Sequence, residues 1–338
     1  MRILLIMDPG LPVPPKLYGG HERLVHMFAE EYHRLGHEVS LLAGPDSSGP
    51  GRVYTFGRNG LNRPKWDIFK EVITCWSFLL FNHTKYDLIH NFGRLIYLLP
   101  ILNKPVKKIM TYGREIFAPN INFVNKLPFK NLVFTACSNH CLKTGNAAGT
   151  WHTVYNAIDF TKYKLTTVLE TDAPLMFLGR LDKVKGVHNA IEVAKRMGQK
   201  LIIAGNVPET ADNLYYYKNK LEPQFDGEQI QYVGPVNDIM KNHYLGKAKA
   251  LLFPIEWDEP FGLVMIEAMA CGTPVVGYNR GSVPEIIIEG KNGFIVNNVT
   301  EMSSALQKIG TIDRTSCRQT AEERFDKIVI SKRYLELF

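Results

Sequence analysis

EPFGLVMIEAMACGTPVVGYNRGSVPEIIIEGKNGFIV, from Glu259 to Val296, is the stretch of this chain that says most about its fold. It opens on an acid beside a proline. It then runs as an apolar helical pattern over Gly262–Ala270, breaks at Cys271–Gly272, and resumes as a buried strand over Pro274–Gly277. Helix, glycine and apolar strand in immediate succession are the unit of an α/β sheet. Two carboxylates interrupt the pattern, Glu259 at the mouth of the loop and Glu267 inside the apolar helix, with seven residues between them. A core helix needs neither. A carboxylate accepts two hydrogen bonds at once, so an acid facing a cleft suits the paired hydroxyls of a sugar. The helix start at Phe261–Gly262–Leu263 supplies free N–H groups and the positive end of a dipole, which favour a phosphate. Read blandly, Glu259 would cap the helix and Glu267 would form a surface ion pair.

Working outward, the second half alternates in the same way. Strands are expected at Leu175–Leu178, Leu201–Ala204, Gln231–Val233 and Ala250–Phe253, and a helix over Val187–Met197. Between the first strand and that helix lies FLGRLDKVKG, which places Arg180 and Lys185 at a strand-to-helix turn. There a guanidinium can grip phosphate oxygens in bidentate fashion, and an ammonium adds a point charge. The first half reads likewise, with strands at Arg2–Met7, Glu38–Ala43, Asp87–His90, Lys108–Tyr112, Leu132–Ala136 and Thr153–Tyr155. Leu24, Val25, Phe28, Tyr32 and Leu35 fall on one face of a helix that follows the Gly19–Gly20 pair and His21. Trp66, Phe69, Val72, Ile73 and Trp76 recur at helical spacing and are expected to be core, with a membrane-contacting face as the alternative. His90 ends a strand, where it is either a cleft residue or a satisfied core histidine.

The 338 residues fit about two domains. The polar segment Asn156–Ala173 is the expected boundary, with one domain over 1–160 and the other over 170–319. Strands separated by helices imply two Rossmann-like α/β domains with parallel sheets, facing across a cleft. Five scattered cysteines argue for reduced thiols and against a disulfide framework. Cys137, His140 and Cys141 lack an evident fourth ligand, so no metal site is expected there. The N-terminus reads as a buried strand and not a signal peptide, no segment reaches the roughly 18 apolar residues that span a bilayer, and a cytoplasmic protein is expected.

Charge is uneven. Residues 1–165 carry 20 Lys and Arg against 11 acids, a net of +9, and residues 166–338 carry 20 against 22, a net of −2. The excess suits an anionic partner such as a lipid surface, a phosphorylated acceptor or nucleic acid, or simply a solvated surface. No G-x-G-x-x-G follows the first strand, which disfavours a nicotinamide dehydrogenase. Without a D-x-D motif or a histidine cluster of metal-ligand spacing, the expected site neutralises phosphate with cations and helix N-termini and needs no cofactor.

These motifs resemble the retaining glycosyltransferases of family 4, the group 1 glycosyl transferases of GT-B fold. The resemblance runs from GGHERLVHMFAEEYHRLGHEV through DLIHNFG and VYNAIDF to FLGR…KG and the block with two glutamates. It implies that Arg180 and Lys185 hold a donor diphosphate, that Glu267 binds the nucleotide ribose, and that Glu259 lies near the transferred sugar. It further implies backbone contacts from Phe261, Gly262 and Leu263, a base near Gly234–Val236, and Gly20 in a loop facing the donor from the other domain. The last residues, with ISKRYLELF, resemble a terminal helix (320–338) that crosses back onto the first domain. One departure stands out: similar enzymes often carry a histidine where this chain has Tyr112–Gly113–Arg114. Tyr112 and Arg114 therefore join Gly19, His21 and His90 as acceptor-side candidates, and no general base is named. The expected activity is metal-independent hexosyl transfer from a nucleoside-diphosphate sugar to a glycan, lipid-linked or small-molecule acceptor, in glycan, polysaccharide or glycolipid assembly. Peripheral contact with an anionic membrane at its inner face is compatible with it, and no nucleic-acid partner is expected. A sugar-nucleotide epimerase of the same fold would isomerise its substrate without an acceptor. A non-catalytic glycan- or nucleic-acid-binding module would show steeply salt-dependent binding.

Overall fold

The computed structural model describes residues 1–16, 19–60, 62–145 and 150–338. The chain divides into two compact units, Met1–Ala157 with Lys327–Phe338, and Ile158–Asp326.

The first unit holds strands β1 (Arg2–Ile6), β2 (Glu38–Ala43), β3 (Arg52–Thr55), β4 (Leu88–Asn91), β5 (Lys107–Tyr112), β6 (Leu132–Ala136) and β7 (Trp151–Thr153). Its helices are α1 (Gly20–Arg34), α2 (Lys65–Asn82), α3 (Ala118–Val124) and α4 (Asn139–Thr144). All strand pairs are parallel, in the order β3-β2-β1-β4-β5-β6-β7. Ile3, Leu4, Leu5 and Ile6 are wholly buried, as a central parallel strand covered on both faces requires.

The second unit holds β8 (Leu175–Leu178), β9 (Leu201–Ala204), β10 (Ile230–Tyr232), β11 (Ala250–Phe253), β12 (Val275–Tyr278) and β13 (Gly293–Val296). Its helices are α5 (Val187–Arg196), α6 (Ala211–Tyr216), α7 (Asp238–Lys247), α8 (Leu263–Ala270), α9 (Val283–Ile286), α10 (Val299–Lys308) and α11 (Arg314–Phe325). This sheet is also parallel, in the order β10-β9-β8-β11-β12-β13. The strand order reverses between β8 and β11, the switch point beside which open α/β sheets bind ligands. Helix α11 backs this unit through two arginines. Arg314 donates to the carbonyls of Thr166, Ala248, Gly246 and Cys271 and to Thr273 Oγ1, and Arg318 donates to the carbonyls of Tyr163, Phe160 and Ala270. Residues 158–166 are thereby tied to the second sheet.

The chain returns to the first unit at Lys327 and not at residue 320, since Arg314–Phe325 stays with the second unit. Helix α12 (Lys327–Leu335) then places Tyr334 edge-on to Phe28 of α1, ring centroids 5.3 Å apart. Edge strands β3 and β13 carry weaker patterns than the sequence reading detects, and β7 begins at Trp151 instead of Thr153. The larger correction concerns α2. Its core face is Glu71, Val72, Cys75 and Leu79, whereas Trp66, Phe69 and Ile73 are 63%, 53% and 41% exposed. Of the stripe expected to be core, Val72 is buried and Trp76 half-buried, but Trp66, Phe69 and Ile73 are turned outward, because the helix is apolar on both sides and its unit covers only one.

Candidate functional site

In the second unit, charged residues from the loops after β8 and β11 meet beside the switch point. The chain leaves β8 through Gly179, and Arg180 Nη2 meets Asp182 Oδ2 at 2.8 Å with its guanidinium about half exposed. A single 3₁₀ turn, Lys183–Lys185, then leads to Gly186 at φ 71°, where α5 begins. A Cβ on Gly186 would sit 1.8 Å from the carbonyl oxygen of Pro254, so only glycine lets this turn lie against the end of β11. The same apposition joins the two loops, with Glu256 N donating to Val184 O at 2.8 Å.

Across that seam Lys185 Nζ forms a close ion pair with Glu259 Oε2, both side chains largely buried. Trp257 completes the group. Its indole Nε1 donates to the same Glu259 oxygen at 2.8 Å, and its ring lies 4.9 Å below the Lys185 ammonium. Glu259 is held from behind by Gly281, at φ 56°, whose Cβ position lies 2.4 Å from both the N and O of Glu259. Ser282 N donates to Glu259 O and Ser282 Oγ to Phe261 O. Phe261 is buried edge-on to Phe325, Gly262 occupies the left-handed position that starts α8, and Leu263 opens the helix half-buried.

Glu267, one turn further, is part of a second charged group. Its Oε1 accepts from Tyr163 Oη at 2.9 Å and from Lys241 Nζ of α7 at 2.5 Å. Burial pulls the Lys241 ammonium down, but Glu267 and Asp238 outweigh it and the net shift is upward, so the lysine stays charged. Burial followed by the nearby Glu267 pushes the Tyr163 hydroxyl and the Cys271 thiol up, the latter to about 12. Gly234 and Val236 lie in the loop after β10, and Gly234 O accepts from Gly205 N beyond β9. Arg180, Lys185, Glu259 and the α8 start thus converge on the carboxyl ends of β8 and β11. Trp257, Lys241, Tyr163 and Ser282 are participants that the sequence reading missed. A tryptophan between the proline of β11's end and Glu259 was the one available signal.

In the first unit, Gly19 precedes α1, and Gly20 and His21 form its first residues. The His21 ring lies on Gly113, where an added Cβ would fall 1.9 Å from Nε2. Burial, then the positive charge of Arg114, lowers its basicity. His21, Tyr112 and Arg114 are therefore brought together, with Tyr112 half-buried and Arg114 exposed. His90 is not among them. It is wholly buried, its Nδ1 is 3.2 Å from Tyr32 Oη and its Nε2 is 2.8 Å from Thr111 Oγ1. Phe92 and Tyr334 pack on its ring, and burial lowers its pKa to about 3. It is a core histidine and offers nothing to an acceptor. Cys141 Sγ donates to Arg114 O, and among the described residues no three His, Cys, Asp or Glu side chains converge as metal ligands would.

Residues 162–324, which contain the whole charged arrangement of the second unit, match the family described as Glycosyl transferases group 1. The second unit is a group 1 glycosyltransferase domain. The chain with this domain is similar over 78% of its length to an uncharacterized 41.2 kDa protein in the cps region of Klebsiella pneumoniae, 27% identical over 74% of that protein. Its fold is the GT-B fold. The sucrose-phosphate synthase of Thermosynechococcus elongatus superposes with a TM-score of 0.79, 19% identical, over 99% of this chain and 98% of that one. Anabaena HepE, solved in complex with UDP-glucose, does so with a TM-score of 0.73, 18% identical, over 99% and 98%. The group 1 match thus lies within the second unit, and one structural neighbour of the chain was solved with a nucleotide sugar.

Proposed function

We propose that this protein transfers a hexose from a nucleoside-diphosphate sugar to an acceptor hydroxyl, with retention at the anomeric carbon and without a metal ion. One observation carries the reading: Arg180 and Lys185 after β8 and Glu259 and Glu267 after β11 flank the strand-order switch of the group 1 domain. Arg180 and Lys185 hold the diphosphate, with the first N–H groups of α8 as further donors. Glu267 takes the ribose hydroxyls on the oxygen left free by Tyr163 and Lys241. Glu259, fixed by Lys185, Trp257 and the Gly281–Ser282 turn, reads the transferred sugar. The loop at Gly234–Val236 lies against the base.

In the reaction the bond from the anomeric carbon to the phosphate oxygen breaks as a bond to the acceptor oxygen forms on the same face. The acceptor's proton passes to the departing phosphate, which gathers negative charge. Arg180 and Lys185 are already in place to stabilise it, and this is where most of the rate enhancement arises. His21, Tyr112 and Arg114 are the acceptor-side residues of the first unit. The acceptor in this reading is a growing glycan or a lipid-linked sugar.

The test is a panel of nucleotide sugars with candidate acceptors, the product's anomeric configuration being read by NMR for the wild type, Lys185→Ala and Glu259→Ala. Retained configuration, lost in both variants, is the expected result. Transfer at wild-type rate in both variants would overturn it, as would isomerisation of the sugar nucleotide with no acceptor present.

A further inference from the structure

The outer face of α2 carries five of the exposed large apolar side chains among the described residues, and sugar transfer does not account for them. Trp66, Phe69, Ile73, Leu80 and Phe81 are 63%, 53%, 41%, 48% and 83% exposed, all on one 18-residue helix. Exposed Ile96 borders them, and Trp76 Nε1 donates to its carbonyl at 2.7 Å. Trp66 and Phe69 stack at 5.4 Å, and the Lys70 ammonium sits 5.7 Å over the Trp66 ring. A soluble helix normally presents charge opposite its core face, whereas one that is apolar all round needs cover on both sides.

The charges of this region are arranged to suit one kind of cover. Both acids of α2 are neutralised from its own unit, Asp67 by Arg58 at 2.7 Å and Glu71 by Arg63 at 2.9 Å. That leaves Lys65 and Lys70 exposed on the helix and Lys85 exposed just beyond it. The whole unit carries 21 Lys and Arg against 11 acids, a net of +10. Aromatic side chains among lysines with no free acid match the boundary between anionic head groups and acyl chains, where lysine stems lie along apolar surface and keep their ammonium groups in water. No helix among the described residues is long and apolar enough to cross a membrane, so the contact would be one of surface docking.

We propose that the outer face of α2 docks this protein on an anionic lipid bilayer, with Trp66, Phe69, Ile73, Leu80 and Phe81 entering the interface and Lys65, Lys70 and Lys85 meeting the head groups. This goes beyond the transferase reading and does not depend on it, because docking needs no nucleotide.

Sedimentation with vesicles of phosphatidylcholine, with and without phosphatidylglycerol and in the absence of any nucleotide sugar, tests it. The wild type pellets with the anionic vesicles and stays in solution with the neutral ones. Phe69→Ser with Phe81→Ser lowers the partition coefficient about tenfold or more. Lys65→Gln with Lys70→Gln lowers it about fivefold per lysine. The melting temperature of each variant stays at the wild-type value, since the altered side chains are exposed. No pelleting of the wild type, or equal pelleting of wild type and the phenylalanine variant, overturns the proposal. So does a wild-type dimer in light scattering that the phenylalanine variant abolishes, since the face would then be covered by a second copy.

Discussion

At the carboxyl ends of β8 and β11 the chain sets charges in close pairs, Arg180 with Asp182 and Lys185 with Glu259, and Glu267 with Lys241 follows one turn into α8. At the equivalent ends of β1 and β4 in the other sheet it does something different. Asp8 accepts from Tyr97 Oη at 2.9 Å and lies 3.6 Å from Arg94, Asn91 closes its own loop by accepting from Gly93 N, and His90 is sunk into an aromatic core. The two units share a parallel topology with the same kind of strand-order switch, yet one edge carries closely paired charges and the other mostly neutral hydrogen bonds and rings. Topology supplies the place where a ligand can sit, and the side chains at that place decide which ligand.

The charged edge is expected to be the more sensitive of the two to substitution. On the proposed function Lys185 faces the leaving diphosphate, and Lys185→Ala should then lower kcat for transfer about 10²–10³-fold. The corresponding change in the other unit, His21→Ala, should cost less, because no phosphate charge develops there. Steady-state assays of the two variants side by side read the difference. Gly186→Ala comes next. It drives a Cβ into Pro254 at a left-handed φ, and should destabilise the second unit by about 2–3 kcal/mol, visible as a fall of roughly 5–10 °C in its melting temperature.

Both predictions rest on residues that a sequence reader could reach, and the reason is local. Arg180, Lys185 and Gly186 fall within eight positions after one apolar strand, and Glu259 and Glu267 straddle one helix start. The central strands were legible for the same reason, since a strand buried on both faces is an unbroken apolar run, as in LLFP or LMFL. The edge strand β3, RVYT, is only half-buried and carries no such run. Helix α11, RTSCRQTAEERF, buries Cys317, Ala321 and Phe325 together with an arginine, so its apolar period is faint. What lay beyond reach was contact between distant residues. His21 on Gly113, Tyr163 and Lys241 on Glu267, and the core cage around His90 each join segments far apart in the chain. The stripe of α2 failed for another reason: periodicity reports that a face is apolar, and does not report whether the protein covers it.

The neutral edge yields a pH prediction. Burial lowers the His90 pKa to about 3 from its ordinary value of 6.5, so the unfolded chain binds the proton more tightly than the folded one. Its contribution is therefore complete above pH 6.5 and is lost as the pH falls toward 3, at a slope of up to about 1.4 kcal/mol per pH unit. Urea midpoints followed by fluorescence through that window should show the slope in the wild type and a flatter course in His90→Gln. Lys241→Met is the smallest change. It leaves Glu267 without its cation beside an incoming dianion, and should weaken nucleoside-diphosphate binding by about 1 kcal/mol, a difference that titration calorimetry resolves.

Calorimetric titration of the wild type, Arg180→Ala with Lys185→Ala, and His21→Ala with UDP, GDP and ADP reads whether the charged edge holds the diphosphate. One of these diphosphates is expected to bind the wild type and His21→Ala with similar affinity, and the double variant at least tenfold more weakly. Equal binding by the double variant and the wild type, or loss of binding in His21→Ala alone, would contradict it.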